Sequence, residues 1–215
     1  MIVLYSHQKG GVGKSTLAIN HAYNKGCPIL DLDSQNSSML FNQLRRMNDK
    51  KIIECFSVDT TEELNNVINI YKSNKDNLLI IDSGGYDSEL NRLALIQADL
   101  IITPVGTSQI ELFGLQKYRK ILTDAGKALG NNVKTNVLIN NVDSRSKKKI
   151  AELQDYIENN KKYFNLLDSV IHSRVDFKNA YGDGLTVKEL DKESKASKEV
   201  KSLTKEIDKI LKKSK

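Results

Sequence analysis

Nine residues near the amino end, Gln8-Lys-Gly-Gly-Val-Gly-Lys-Ser-Thr16, limit the folds open to this chain more than any other stretch. They follow the apolar run Ile2-Val-Leu-Tyr5 and lead into Leu17-Ala-Ile19. Apolar run, glycine-rich turn and continuing apolar segment read as strand, loop and helix. Gly10, Gly11 and Gly13, with Val12 between them, let the backbone curl so tightly that successive N–H groups point inward and suit phosphate oxygens. The helix that follows adds the positive end of its dipole. Lys14 is placed to reach β- and γ-phosphates, the Ser15 hydroxyl to ligate Mg²⁺, and Thr16 to meet the α-phosphate.

The rest of the chain alternates short apolar runs with helical segments. That pattern predicts an α/β fold: a mostly parallel twisted sheet flanked by helices on both faces. Strands are expected at Ile2–Tyr5, Ile29–Leu32, Ile52–Phe56, Leu78–Ile81, Leu100–Thr103, Val133–Ile139 and Leu166–Ile171, each reading as buried on both sides. A helix is expected over Ser144–Asn160, where Ile150, Leu153 and Ile157 form one stripe, and another opens at Asp59-Thr-Thr-Glu-Glu63. The helix after the glycine loop is expected to be short, about two turns before Gly26 ends it. No repeat, linker or low-complexity block interrupts the 215 residues, so residues 1–215 are read as one domain. It ends in an amphipathic, lysine-rich helix at about 197–214.

Composition narrows the chemistry. Cys27 and Cys55 form no CxxC pair, and His7, His21 and His172 lack metal-ligand spacing, so all five are read as structural. No apolar run approaches the roughly 20 residues that span a bilayer, and Met1-Ile-Val-Leu-Tyr-Ser6 has no basic leader, which predicts a cytoplasmic protein. The net charge of +6 is uneven: residues 188–215 hold ten lysines against six acids. Such an excess suits DNA phosphates or acidic lipid, or simply a solvated face. The run Leu78-Leu-Ile-Ile-Asp-Ser-Gly-Gly85 carries one carboxylate, Asp82, on a buried strand, which is how a phosphate-loop protein holds Mg²⁺. Gly84 and Gly85 let the backbone approach a γ-phosphate there.

The strict G-x-x-x-x-G-K-[ST] pattern fails, because Gln8 stands where the first glycine belongs and an extra lysine, Lys9, precedes the glycine pair. This K-G-G-x-G-K-[ST] form resembles the deviant loop of the ParA/MinD family of P-loop ATPases. Leu30-Asp-Leu-Asp-Ser-Gln35 is similar to that family's D-x-D-P-Q segment, with Ser34 in place of proline, and Asp82-Ser-Gly-Gly85 to its D-x-G-G. Weaker likenesses run through Ala98–Val105, Ser108–Leu115, Leu138–Asp143, Val170–Val175 and Ala180–Val187. The resemblance implies ATP and Mg²⁺ as cofactors. It implies that Lys9 crosses a dimer interface to the partner's ATP, that Asp33 orients the attacking water, and that Asp31 helps order the Mg²⁺ shell. Asn140 or Asn141 stands where the family contacts adenine, and an amide suits a purine edge.

Lacking an amino-terminal helix-turn-helix extension, the chain is most similar to the small ParA partition ATPases. The implied function is an ATPase of slow intrinsic turnover that forms a homodimer on ATP and binds DNA non-specifically as that dimer. It would be nucleoid-associated and move a plasmid or chromosome with a ParB-like activating protein. Arg174, Lys178 and the terminal lysines are the candidates for DNA. The alternatives are a MinD-like positioning ATPase on membrane and a metabolic enzyme of the same scaffold. Against the first, no aromatic side chain follows Tyr181 to anchor the last helix in lipid.

Overall fold

Leucine and β-branched runs without polar alternation make strands that must be covered on both faces, and that requirement organises the fold. The computed structural model describes residues 1–74 and 76–213. The first half runs β1 (Ile2–Tyr5), α1 (Lys14–Lys25), β2 (Ile29–Leu32), α2 (Ser37–Met47), β3 (Cys55–Phe56), α3 (Thr61–Ser73), β4 (Leu79–Ser83) and α4 (Glu89–Gln97). The second runs β5 (Leu100–Val105), α5 (Gln109–Leu129), β6 (Thr135–Val142), α6 (Lys147–Glu158), β7 (Phe164–His172), α7 (Val175–Gly182), α8 (Val187–Leu190) and α9 (Lys195–Lys213). The strands form one sheet in the order β3-β2-β4-β1-β5-β6-β7, and every pairing is parallel.

Side chains of each strand divide between two cores. Val3, Tyr5, Ile80 and Ile102 meet Leu17 and Ala18 of α1 and Val200, Leu203 and Ile207 of α9. Ile2, Leu4, Ile81 and Ile101 meet Leu64 of α3, Leu95 of α4, Leu115 of α5 and Leu153 of α6. With β1 central, the turns leaving the carboxyl ends of β1, β2, β4 and β6 converge, which is where open α/β sheets bind ligands.

The expected strands are all present; β1 and β2 have the expected bounds and the other five have shifted ends. β3 keeps only Cys55–Phe56 of the expected Ile52–Phe56. The preceding backbone is claimed by α2 instead: Asn42 exchanges hydrogen bonds with both the N–H and carbonyl of Ile53, and Arg45 Nε donates to the Lys51 carbonyl. The helix after the glycine loop is longer than expected, 12 residues or just over three turns. Gly26 ends it in the left-handed region at φ 62°, and only Gly26–Pro28 separate it from β2, so the helix takes nearly the whole connection. The helix expected over Ser144–Asn160 is trimmed to Lys147–Glu158. The opening at Asp59–Glu63 is a capping box, in which Thr60 accepts from the Glu63 N–H and Glu63 from the Thr60 N–H.

The terminal helix begins two residues earlier than expected, at Lys195, and is described to Lys213; Ser214 lies outside the described residues. Its apolar stripe is not exposed. Val200, Leu203, Ile207 and Leu211 are buried against the sheet and α1. Its acids also turn inward: Glu206 accepts from the Asp168 and Ser169 N–H groups, and Asp208 pairs with Lys25 at 2.8 Å. No helix among the described residues is long and apolar enough to cross a membrane. Truncating a fully buried leucine removes transfer free energy and leaves a cavity, so Leu203→Ala should lower unfolding free energy by about 3 kcal/mol in urea titrations. A loss below about 0.5 kcal/mol would show that α9 is not integral to the fold.

Candidate functional site

β1 hands the chain to the glycine loop at the middle of the sheet, and Ser6 N–H still reaches the Ile102 carbonyl at 2.9 Å. The loop closes on Gly13, whose φ of +93° only glycine adopts without strain. Gly13 is also the amino-terminal cap of α1 and supplies no side-chain acceptor, so the first N–H groups of α1 are left for a ligand. Lys14 is 5 % exposed and its Nζ donates to the Lys9 carbonyl at 3.3 Å, curled along the inside of the loop. Burial pulls its pKa down, while Asp82 and Asp33 oppose that shift.

Asn140, at the end of β6, supports the loop from beneath. Its Nδ2 donates to the Val12 carbonyl at 2.7 Å, and a Cβ added to Gly13 would lie 2.6 Å from the same nitrogen. Of the two asparagines expected near adenine, Asn140 is thus occupied by the loop. Asn141 is exposed, in the left-handed region at φ 54°, and faces the adjoining cavity. That cavity, about 420 Å³, is walled by Gly11, Thr16, Asn141, Arg174 and Phe177 among others. Its far wall is tied to α9, because Glu199 accepts from the backbone and Nδ1 of His172 and from Nε of Arg174.

The carboxylates gather on the other side of Lys14. Parallel register sets Asp31 of β2 level with Asp82 of β4, and Asp82 level with Tyr5 of β1. Asp31 accepts from the N–H groups of Asp33, Ser38 and Met39 at 2.9–3.2 Å, so it gathers the turn and the first residues of α2. Burial still raises its pKa above the usual carboxylate range. Asp82 is fully buried. One oxygen accepts from the Ser38 hydroxyl at 2.9 Å, and the other, Oδ1, is buried without a partner. Burial first, and then the charge of Asp31, push Asp82 up to about 7, with the Ser15 and Ser38 hydroxyls pulling the other way. Asp33 lies half-buried at the mouth, its Oδ1 accepting from the Gln35 N–H at 3.0 Å.

This donor set fits Mg²⁺. An orphaned carboxylate oxygen beside a serine hydroxyl offers hard oxygen ligands. Among the described residues no cluster of three or more His, Cys, Asp or Glu could hold a metal alone, so phosphate oxygens and water would complete the shell.

Lys9 sits at the outer lip, half-buried, and its ammonium pairs with Glu111 of α5. Its N–H donates to His7 Nδ1 at 2.9 Å, and His7 stacks on Tyr118 with centroids 5.5 Å apart. Gly114, inside α5, makes room for that ring, since a Cβ there would lie 3.0 Å from His7 Cε1. Burial, then the charges of Lys14 and Lys9, hold His7 down at about 3, so it stays neutral. Around the lip Tyr86, Ile110 and Phe113 are 47, 64 and 56 % exposed.

The fold therefore brings Lys9, Gly10–Thr16, Asp31, Asp33, Asp82 and Asn140 to one end of the sheet, with Asn141 on the adjoining cavity. Sequence reasoning passed over Ser38, Glu111 and Glu199, which act across the fold and carry no local motif. Asp82 generates a pH prediction. Its native pKa lies above its unfolded one, so between about 4 and 7 the native state holds more protons and stability falls as pH rises. In Asp82→Asn that slope should be missing, so the variant should gain stability over the parent from pH 4 to pH 7 in thermal scans. Parallel curves would mean that Asp82 is ionised throughout.

Residues 3–187 match the family model described as CobQ/CobB/MinD/ParA nucleotide binding domain. No curated protein matches the chain in sequence. Among solved structures it is similar to apo McdA from Cyanothece, with 15 % identity over 96 % of this chain and 98 % of that one and a TM-score of 0.72. It is similar to MinD complexed with Mg-ADP from Pyrococcus horikoshii, at 18 % identity over 100 and 98 % with a TM-score of 0.67. The pNOB8 ParA gives 12 % over 100 and 99 % with a TM-score of 0.70. At such identities these likenesses speak for the fold, a P-loop parallel sheet, while the family model covers most of the chain and its phosphate loop. The chain belongs to the CobQ/CobB/MinD/ParA family of nucleotide-binding domains.

Proposed function

We propose that this protein is an ATP-dependent dimerising switch of the ParA type, which hydrolyses ATP slowly and binds DNA non-specifically as its ATP dimer. The observation that carries this reading is the position of Lys9. Its partly exposed amine pairs with Glu111 of α5, and the adjoining segments expose apolar side chains, Ile110 and Phe113 on α5 and Tyr86 just after the Gly84-Gly85 turn that packs on Gly10. A lysine so placed serves its own phosphates poorly and a second copy's well, and the apolar rim suits burial against that copy. ATP shifts such an equilibrium only through contacts that ADP lacks, and a γ-phosphate reached from both protomers is such a contact.

Within each protomer Lys14 and the loop N–H groups hold the triphosphate, and Asn141 borders the cavity for the base. Ser15 and Asp82 would hold Mg²⁺, which when bound neutralises charge on the β- and γ-phosphate oxygens. Asp33 orients a water in line with the γ-phosphorus. The new P–O bond forms as the bond to the β–γ bridging oxygen breaks, releasing ADP and phosphate.

The DNA part of the reading is supported by α9. Glu199, Glu206 and Asp208 are spent on internal partners, while Lys201, Lys205, Lys209 and Lys212 are exposed at helical spacing. Those lysines form an unneutralised face about 16 Å long, and a dimer doubles it. A membrane role draws less support, because the apolar stripe of α9 is already buried. A ParB-like activator and a cytoplasmic, nucleoid-associated location follow from the same reading.

Lys14→Ala should weaken ATP binding by roughly a hundredfold in calorimetry, the loss of a charge-assisted phosphate contact; undiminished affinity would remove the loop from the site. Lys9→Ala should bind ATP yet remain monomeric in light scattering, and an ATP dimer of normal size would refute the crossing lysine. Co-sedimentation with DNA of mixed sequence should require ATP and weaken with salt at a log–log slope of about −0.9 per phosphate neutralised. Retention that is equal with ADP would sink the switch.

A further inference from the structure

Among the described residues, Ser38 is the one that hydrogen-bonds to both aligned carboxylates. It stands in the first turn of α2, 1 % exposed. Its N–H donates to Asp31 Oδ2 at 2.9 Å and its hydroxyl to Asp82 Oδ2 at 2.9 Å. Asp31 also takes the Met39 N–H, so the two carboxylates together anchor the start of that helix. The cap residue Asn36 supplies no side-chain acceptor, which leaves Asp31 as the local anchor.

The geometry of Asp82 gives the serine a second consequence. With Oδ2 committed to Ser38, the carboxylate is held in one rotation, and its unpartnered Oδ1 remains for a cation or its water beside Ser15. A carboxyl group free to turn would lose that orientation. We propose that Ser38 is a positioning residue: it orients Asp82 toward Mg²⁺, and through the same two hydrogen bonds it transmits metal occupancy to the first turn of α2. This rests on the reading of Asp82 and Ser15 as the magnesium site. A divalent ion held at Oδ1 fixes the Asp82 carboxylate in the rotation that presents Oδ2 to Ser38, and coupling of this kind is reciprocal, so a firmer α2 also favours the bound metal.

Hydrogen exchange at the Ser38, Met39 and Leu40 amides tests this, comparing the full-length protein in ADP plus EDTA with ADP plus MgCl₂, while calorimetry follows Mg·ADP binding in the same samples. In the parent protein Mg²⁺ should slow exchange at these amides by roughly tenfold, the effect of holding Ser38, and with it the first turn of α2, through one persistent hydrogen bond to a charged group. Ser38→Ala should still bind ADP, but its Mg²⁺ response should shrink below roughly twofold; Ser38→Thr, which keeps the hydroxyl, should restore it. A purely structural serine would change exchange equally with and without metal, and that result overturns the proposal. So does a parent protein that binds Mg·ADP without any response at α2. Failure of the parent to bind Mg·ADP at all overturns the magnesium reading and this coupling together, and calorimetry distinguishes the two failures.

Discussion

Backbone N–H groups without an internal partner, at the start of α1, are the constraint around which this molecule is arranged. Buried donors of this kind are costly unless something accepts from them. Here the chain withholds every side-chain acceptor: Gly13 occupies the cap position, and Lys14 turns its own charge back along the loop. What remains is a positive concavity that a phosphate chain completes. Support comes from beneath, through Asn140 on β6 and the stacked pair His7 and Tyr118.

Opposite that positive concavity stand Asp31 and Asp82. Parallel pairing places them level on neighbouring strands, where the charge of Asp31 adds to the cost of ionising the buried Asp82. The fold tolerates this because Asp31 is spread over three backbone donors and Asp82 accepts from the Ser38 hydroxyl. The acid side and the basic loop meet at Lys14 and Ser15, and the Lys14 pKa is lowered by burial against the opposing charges of Asp82 and Asp33.

The carboxyl-terminal part of the chain is bound into this arrangement. Arg45 of α2 is buried, with Nη1 on the Gly184 carbonyl and both Nη atoms on Glu189. Glu199 fixes the wall of the cavity that Asn141 lines, and α9 closes the core over α1 and β7. A lysine-rich amphipathic segment, taken alone, reads equally as a membrane anchor; in place, its apolar side is core and only the lysines meet water.

The phosphate loop, Asp82 and the seven strands were legible because each depends on contiguous residues. Glycine spacing dictates a backbone curl, and an unbroken apolar run dictates a doubly covered strand, as in β1, β2, β4 and β5. The edge strand β7, expected to be buried on both sides, instead exposes Asn165 and Asp168. The family followed from the same short segments. Tertiary structure alone decided that Asn140 holds the Val12 carbonyl, 128 residues away, while Asn141, left-handed at an irregular point of β6, is exposed on the same cavity. It also decided that Ile52–Ile53 leave the sheet for α2, that Glu111 meets Lys9, and that Ser38 joins two acids. These are contacts between elements that are distant along the chain. Local propensity is silent about them because the free energy that selects each partner exists only once the sheet has brought both ends together.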